Sequence, residues 1–257
     1  MFRSIRIIFL LLLFIVVAFY TQSQRLNSRN WAEPLEVVIY PINADQDDQV
    51  AAYIESLDDD DFESIDRFMA EEAEAYELFM EQPVSTNLAA EIDELPPAPP
   101  DSGNIPGIIF WSLRLRYWAY TRAQESSLWN NTQVQIFVLY HRPEDQRVLA
   151  HSLGLEKGLI GVVHAFSGDR QRGKNNLVIA HELLHTVGAT DKYDAQGLPI
   201  FPQGFAEPDR QPRYPQSYAE LMAGRIAVSP SQAVMPSSLR RCSIGYETAV
   251  EINWLQE

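Results

Sequence analysis

Two rhythms of apolar residues run along this chain. Leu35 to Ile42 (L-E-V-V-I-Y-P-I), Val134 to Tyr140 (V-Q-I-F-V-L-Y) and Gly158 to Phe166 (G-L-I-G-V-V-H-A-F) are short apolar runs rich in β-branched and aromatic residues. Runs of that length predict buried strands. A helical spacing takes over elsewhere. Phe62, Ile65, Met69, Tyr76 and Phe79 or Met80 recur near every third or fourth residue, which predicts an amphipathic helix from Asp61 to Glu81. Ile108 to Ala123 is apolar and aromatic with three arginines, and reads as a helix packed on a sheet, its Trp111, Trp118 and Tyr120 counted as core. Leu177, Ala180, Leu184 and Val187, with Leu183 beside them, form a stripe at helical spacing, and Asn175 or Asn176 is placed to cap its start. Ile244 to Leu255 predicts a closing helix. Leu95 to Gly103 is a proline-rich linker, and Gly197 to Gln216 carries five prolines, a stiff irregular loop suited to walling a cleft. The pattern predicts an α+β fold, a mixed sheet with helices.

The N-terminus follows a different rule. Arg3 and Arg6 precede Ile7 to Tyr20, fourteen unbroken apolar or aromatic residues. Basic residues before a run of that length mark a signal peptide or an uncleaved signal anchor, so residues 1–24 are read as a targeting segment and the rest of the chain as exported. Residues 25–257 then form one unit, with an acidic helical insertion at 45–94 and a proline-rich linker at 95–107.

Charge sharpens that division. Of the net −15, residues 45–94 hold eighteen acidic side chains against the single Arg67, which leaves the remainder about two charges positive. This segment reads as a cover over a cleft, a partner site or a solvated insertion. Asp58 to Asp61 fits a solvated helix start, where the helix dipole favours negative charge, better than a calcium loop. No basic patch points to nucleic acid. The one cysteine, Cys242, excludes an internal disulfide.

The chemistry concentrates in His181-Glu182-Leu183-Leu184-His185-Thr186-Val187-Gly188-Ala189-Thr190-Asp191. Residues i and i+4 share a helix face, so His181 and His185 can hold one ion. Glu182 stands beside the first ligand, where a carboxylate can take a proton from metal-activated water. Gly188 lets the helix stop and the chain turn back. Asp191 follows as an oxygen donor, and two imidazoles with one carboxylate form a catalytic zinc set. Glu220 is the alternative third ligand and Asp194 a lesser one. Tyr193, Tyr214 and Tyr218 are possible hydrogen-bond donors to an oxyanion. His164, on the third strand, reads as structural.

The motif resembles the metzincin pattern H-E-x-x-H-x-x-G-x-x-H, with Asp191 in place of the third histidine, as in snapalysin-type proteases. The resemblance is specific over residues 181–191. It implies a zincin-like mixed sheet, an active-site helix and a C-terminal helix. It also implies Zn2+ held by His181, His185 and Asp191, with Glu182 as general base of an endopeptidase. It places the edge strand above the cleft at Gly158 to Phe166, and a methionine turn at Met222 or Met235. Two other readings remain: a membrane-tethered metal-binding interaction protein without catalysis, and a zinc amidase of the cell envelope. The expected partners are a peptide or protein substrate and, through the N-terminal segment, a membrane.

Overall fold

The computed structural model describes residues 30–255 apart from 101–103, 129–131, 145–148 and 157, together with Arg6 and Ser28. The apolar run Ile7 to Tyr20, read above as a targeting segment, lies outside the described residues. Strand β1 (Leu35–Asn43) leads to helices α1 (Asp48–Glu55) and α2 (Glu63–Ala75), then to β2 (Val84–Leu88) and helix α3 (Ile105–Ala123). Strands β3 (Val134–His141), β4 (Leu153–Leu155) and β5 (Ile160–Phe166) precede helix α4 (Arg172–Thr186). Short pairings follow, β6 (Ala219–Glu220), β7 (Ile226–Ser229), β8 (Gln232–Val234) and β9 (Cys242–Ser243), before helix α5 (Tyr246–Glu251).

The fold is a five-stranded mixed sheet flanked by helices, in the order β2-β1-β3-β5-β4. The first four strands are parallel and β4 runs antiparallel at the edge. Residues alternate between the two faces of the sheet, and both faces are covered, which is why the predicted strands read as nearly continuous apolar runs. Val37, Ile39, Ile136, Val138 and Val163 face α1, α2, α4 and α5. Val38, Tyr40, Phe137 and Ile160 face Leu115, Trp118 and Ala119 of α3.

Several boundaries move from their predicted places. The edge strand on the side of the histidine helix is β4, and β5, predicted there, is interior. A three-residue strand is too short to leave a periodic signal. The helix predicted to Glu81 stops at Ala75. Glu77 adopts φ 56°, and Leu78 N–H donates back to the Ala73 carbonyl. Glu71, Glu72, Glu74 and Glu77 crowd this C-terminus, where the helix dipole opposes negative charge. Phe79 is fully exposed instead of buried. The linker ends earlier than residue 107, because the Asn104 side chain accepts from Gly107 N–H and opens α3.

The acidic segment is more than a helical insertion. It supplies β2, which pairs with β1, and Ile65, Phe68 and Met69 of α2 enter the core. Three of its acids bond to the rest of the fold. Asp59 accepts from Leu88 N–H at 2.7 Å, Asp61 pairs with Arg172 at 2.7 Å, and Asp66 accepts from the Thr86 hydroxyl at 2.5 Å.

One acid carries a cost. Glu72, half-buried on α2, accepts from Ile244 N–H at 2.6 Å. Burial, with Glu71 and Glu220 nearby, pushes its pKa from 4.5 up to about 7. The unfolded chain releases this proton near the ordinary value, so stability falls as pH rises from about 4.5 through about 7. Glu72→Gln keeps an acceptor for Ile244. It should raise the urea midpoint at pH 8 and leave it nearly unchanged at pH 4.5. Equal shifts at both pH values would remove Glu72 titration as the cause.

Candidate metal centre and cleft

Helix α4 opens without a side-chain cap. Asn175 and Asn176 lie inside it, correcting the capping expectation. Asn175 donates to the Phe166 carbonyl and Asn176 to the Asp61 carbonyl, which tie α4 to β5 and to the start of α2. The predicted apolar stripe is buried as expected. The helix ends in a Schellman-type turn, with Gly188 at φ 104° and Ala189 N–H donating to the Leu184 carbonyl.

That turn returns the chain to the histidines. The Oδ1 of Asp191 lies 3.2 Å from His181 Nε2 and 3.1 Å from His185 Nε2, and the two Nε2 atoms are 3.1 Å apart. The other ring nitrogens are committed. His181 Nδ1 faces the Leu221 carbonyl at 3.0 Å, and His185 Nδ1 faces the Ala189 carbonyl at 2.8 Å. Carbonyls only accept, so in the neutral rings Nδ1 carries the proton and Nε2 a lone pair. Two lone pairs and a carboxylate oxygen thus converge on one point. Nitrogens about 2.0–2.1 Å from a tetrahedral zinc lie about 3.3 Å apart, so the spacing fits a shared ion. Among the described residues this is the one group placed to share a metal.

The electrostatics agree. Burial opposes charge on His181, but Asp191, Glu182 and the Leu221 carbonyl outweigh it and raise its pKa. Burial would also raise Asp191, yet the two imidazoles, which bond to it when protonated at Nε2, hold it well below the usual carboxylate range. The site favours positive charge. Glu182 is buried, and its Oε2 finds no hydrogen-bond partner among the described residues. Burial raises its pKa, and the imidazoles offset part of the rise.

The alternative ligands lie elsewhere. Glu220 is fully buried and accepts from Ala223 N–H, Gly245 N–H and the Thr248 hydroxyl. It organises the turn that presents Leu221 to His181. Met222 is buried in that turn, whereas Met235 is exposed at the cleft. Asp194 accepts from Gln196 and Leu198 N–H in a tight turn. Tyr193 stacks beside His181 with centroids 6.4 Å apart. Tyr214 packs on Phe205 and Tyr218 lies under Arg241.

Strand β4 passes close over α4. A Cβ on Gly154 would lie 2.5 Å from both the Glu182 carbonyl and His185 Cβ, so only glycine permits this approach. The cleft beside the histidines is about 560 Å³ and is lined by His151, Ser152, His164, Glu182, Tyr193 and Arg225, among others. None of the residues 45–94 lines it, which removes the covering role considered for the acidic segment.

Two features escaped the sequence. His164 Nδ1 lies 2.9 Å from His141 Nε2, and His141 Nδ1 lies 2.9 Å from Asp45, a carboxylate–imidazole–imidazole chain reaching the cleft. The parallel register that sets β3 beside β5 brings these histidines together. Glu251 of α5 accepts from Thr190 N–H at 2.8 Å, from the Thr190 hydroxyl at 2.6 Å and from Lys192 Nζ at 2.6 Å. Asp191 is therefore held between two pinned neighbours. No signal near residue 191 announces a partner sixty residues away.

Comparison of the chain with known protein families and with characterised proteins returns no match.

The clamp on Asp191 is testable. Glu251→Gln keeps the shape and weakens all three bonds. It should lower zinc affinity about tenfold in a chelator competition while helix content stays unchanged. Unaltered affinity would show that Asp191 is placed without the clamp.

Proposed function

We propose that this protein is a zinc-dependent, metzincin-like endopeptidase, exported and held at a membrane by residues 1–24. The observation that carries the reading is Glu182, a buried carboxylate with one oxygen that has no partner among the described residues, beside three side chains placed to share an ion. His181, His185 and Asp191 would hold Zn2+, which when bound would supply an activated water and polarise the substrate carbonyl. Glu182 takes the proton from the attacking water and returns it to the leaving amine. Burial moves its pKa upward, which favours its holding the proton before passing it to the leaving amine. The Tyr193 phenol, pushed up to about 12 by burial and by Asp191, stays protonated and donates to the carbonyl oxygen as charge builds there. Strand β4 ends the sheet, and its outer edge suits pairing with an extended peptide. Met222 supplies the methionine turn.

The test is cleavage of a peptide library by the zinc-loaded chain. Glu182→Gln should bind zinc normally and lose at least about a hundredfold in kcat, the usual scale for a general base. A chelator should abolish activity and zinc restore it. A folded, zinc-loaded chain that cuts no peptide would leave a metal-binding interaction protein instead.

The cleft also suggests which peptides it takes. Lys174 and Arg225 line it, and neither makes an ion pair among the described residues. Among the described residues Glu182 is the single acid in the lining, within a chain of net charge −15. An acidic side chain next to the scissile bond complements that surface. Reversing both charges, Lys174→Glu with Arg225→Glu, should lower kcat/KM for acidic peptides about tenfold, the scale of two exposed ion pairs. Neutral peptides should be cut as before. An equal loss on both would mean the two cations do not read the substrate.

A further inference from the structure

All five histidines of the chain stand at the cleft or one contact from it. His151, His164 and His181 line it, His185 meets His181 at 3.1 Å, and His141 meets His164 at 2.9 Å. The candidate metal centre takes two of them. His164 and His141 have no part in it, yet they too are held from behind. Asp45 fixes the far end of the chain of bonds. Its Oδ2 accepts from Arg142 N–H at 2.8 Å, and its Oδ1 faces His141 Nδ1 at 2.9 Å. A carboxylate only accepts, so His141 Nδ1 carries a proton. With both rings neutral, His141 Nε2 is a lone pair and His164 Nδ1 donates to it. The ring planes lie within 16° of each other, which suits an edge-to-edge hydrogen bond. His164 Nε2 is left as a lone pair. It has no hydrogen-bond partner among the described residues, is not sealed from solvent, and belongs to a side chain that lines the cleft. Burial and the neighbouring His141 lower the pKa of His164 to about 4, so the lone pair persists at neutral pH.

Ser152 supplies the complement. Its Oγ accepts from the His164 backbone N–H at 3.0 Å, and its own O–H finds no acceptor among the described residues. Ser152 also lines the cleft, and it immediately precedes β4, whose outer edge suits an extended peptide. The wall therefore offers one acceptor and one donor beside the path proposed for the substrate. A carboxamide answers both, because its NH2 donates and its carbonyl accepts. A carboxylate cannot donate to the lone pair and is repelled by it. An ammonium or guanidinium has no acceptor for the serine hydroxyl. A hydroxyl offers both roles through a single oxygen, whereas a carboxamide offers them from two atoms, which suits wall groups on two residues. An aliphatic side chain leaves both groups unmet.

We propose that His164 and Ser152 form a subsite that selects a substrate side chain ending in a carboxamide, asparagine or glutamine. Placing that side chain on a peptide rests on the endopeptidase reading; the carboxamide site itself does not. His141 and Asp45 are positioning residues, which hold the tautomer of His164.

Matched peptides carrying glutamine, glutamate or methionine at each position flanking the scissile bond are given to the zinc-loaded chain. At one position kcat/KM for glutamine should exceed that for methionine and for glutamate about tenfold, the scale of two neutral hydrogen bonds. His164→Phe and Ser152→Ala should each reduce that preference and leave cleavage of the methionine peptide as it was, a sign that the fold is intact. A second readout needs no cleavage. Histidine 15N spectra of zinc-loaded Glu182→Gln at pH 8 should show His164 protonated at Nδ1 and bare at Nε2. Asp45→Asn, whose amide no longer commits His141, should mix the two tautomers of His164. Adding the glutamine peptide should move the His164 Nε2 resonance, and adding the methionine peptide should not. If no peptide is cut but the resonance answers to glutamine alone, the carboxamide site stands and the endopeptidase reading falls. Equal cleavage of all three peptides with no selective movement of the resonance would overturn the subsite, as would a proton on His164 Nε2. An equal loss on all three peptides in both variants would also overturn it, since a main-chain amide, common to every peptide, would then be the group bound.

Discussion

Everything near the cleft depends on one constraint, the convergence of two imidazole lone pairs and a carboxylate oxygen on a single point. Such an arrangement is repulsive without a cation. It persists only because each group is held from behind. Leu221 and Ala189 carbonyls orient the rings. The Thr190 and Lys192 bonds to Glu251 hold the segment that carries Asp191. Outer contacts of this kind fix ligand orientation and tautomer before an ion arrives.

Those supports come from distant parts of the chain, which explains the position of the small C-terminal elements. Glu220 bonds to Gly245 and Thr248, so the start of α5 anchors the turn behind His181. Glu251, at the end of α5, anchors the segment behind Asp191. A helix of six residues therefore serves both sides of one site. Glu72 bonds to Ile244 and Tyr76 donates to the Ile244 carbonyl, which ties the acidic helix α2 to the same region. The acidic segment is thus a supporting part of the fold, not a detachable cover.

What was legible in the sequence was local. His181, Glu182, His185, Gly188 and Asp191 lie on one helix and its exit turn, so spacing alone brings them together. The strands buried on both faces were equally plain, because continuous apolar runs need no partner to be recognised. The rest depends on pairing across the chain. Val84 to Leu88 (V-S-T-N-L) is polar enough to hide as a loop, yet it is an edge strand beside β1. Gly154 carries no apolar signal, yet its missing Cβ lets β4 pack against the helix at Glu182 and His185. Asp45 and His141 are 96 residues apart and meet at 2.9 Å. Asn175 and Asn176 resembled caps because their side chains suit that role, but tertiary partners claimed them first.

The choice between catalysis and simple metal binding turns on Glu182. A buried carboxylate with a partnerless oxygen is costly, since each unmet buried acceptor costs about 1–3 kcal/mol and a charged one more. A structural metal site has no reason to bear that cost. An apolar side chain at position 182 would leave His181, His185 and Asp191 where they are. Burial also lifts the Glu182 pKa, and the neighbouring imidazoles keep the rise in check. That balance is useful to a group that must both accept and donate a proton. The same penalty that weakens the fold at this residue is what would give the carboxylate its value as the base of the proposed reaction.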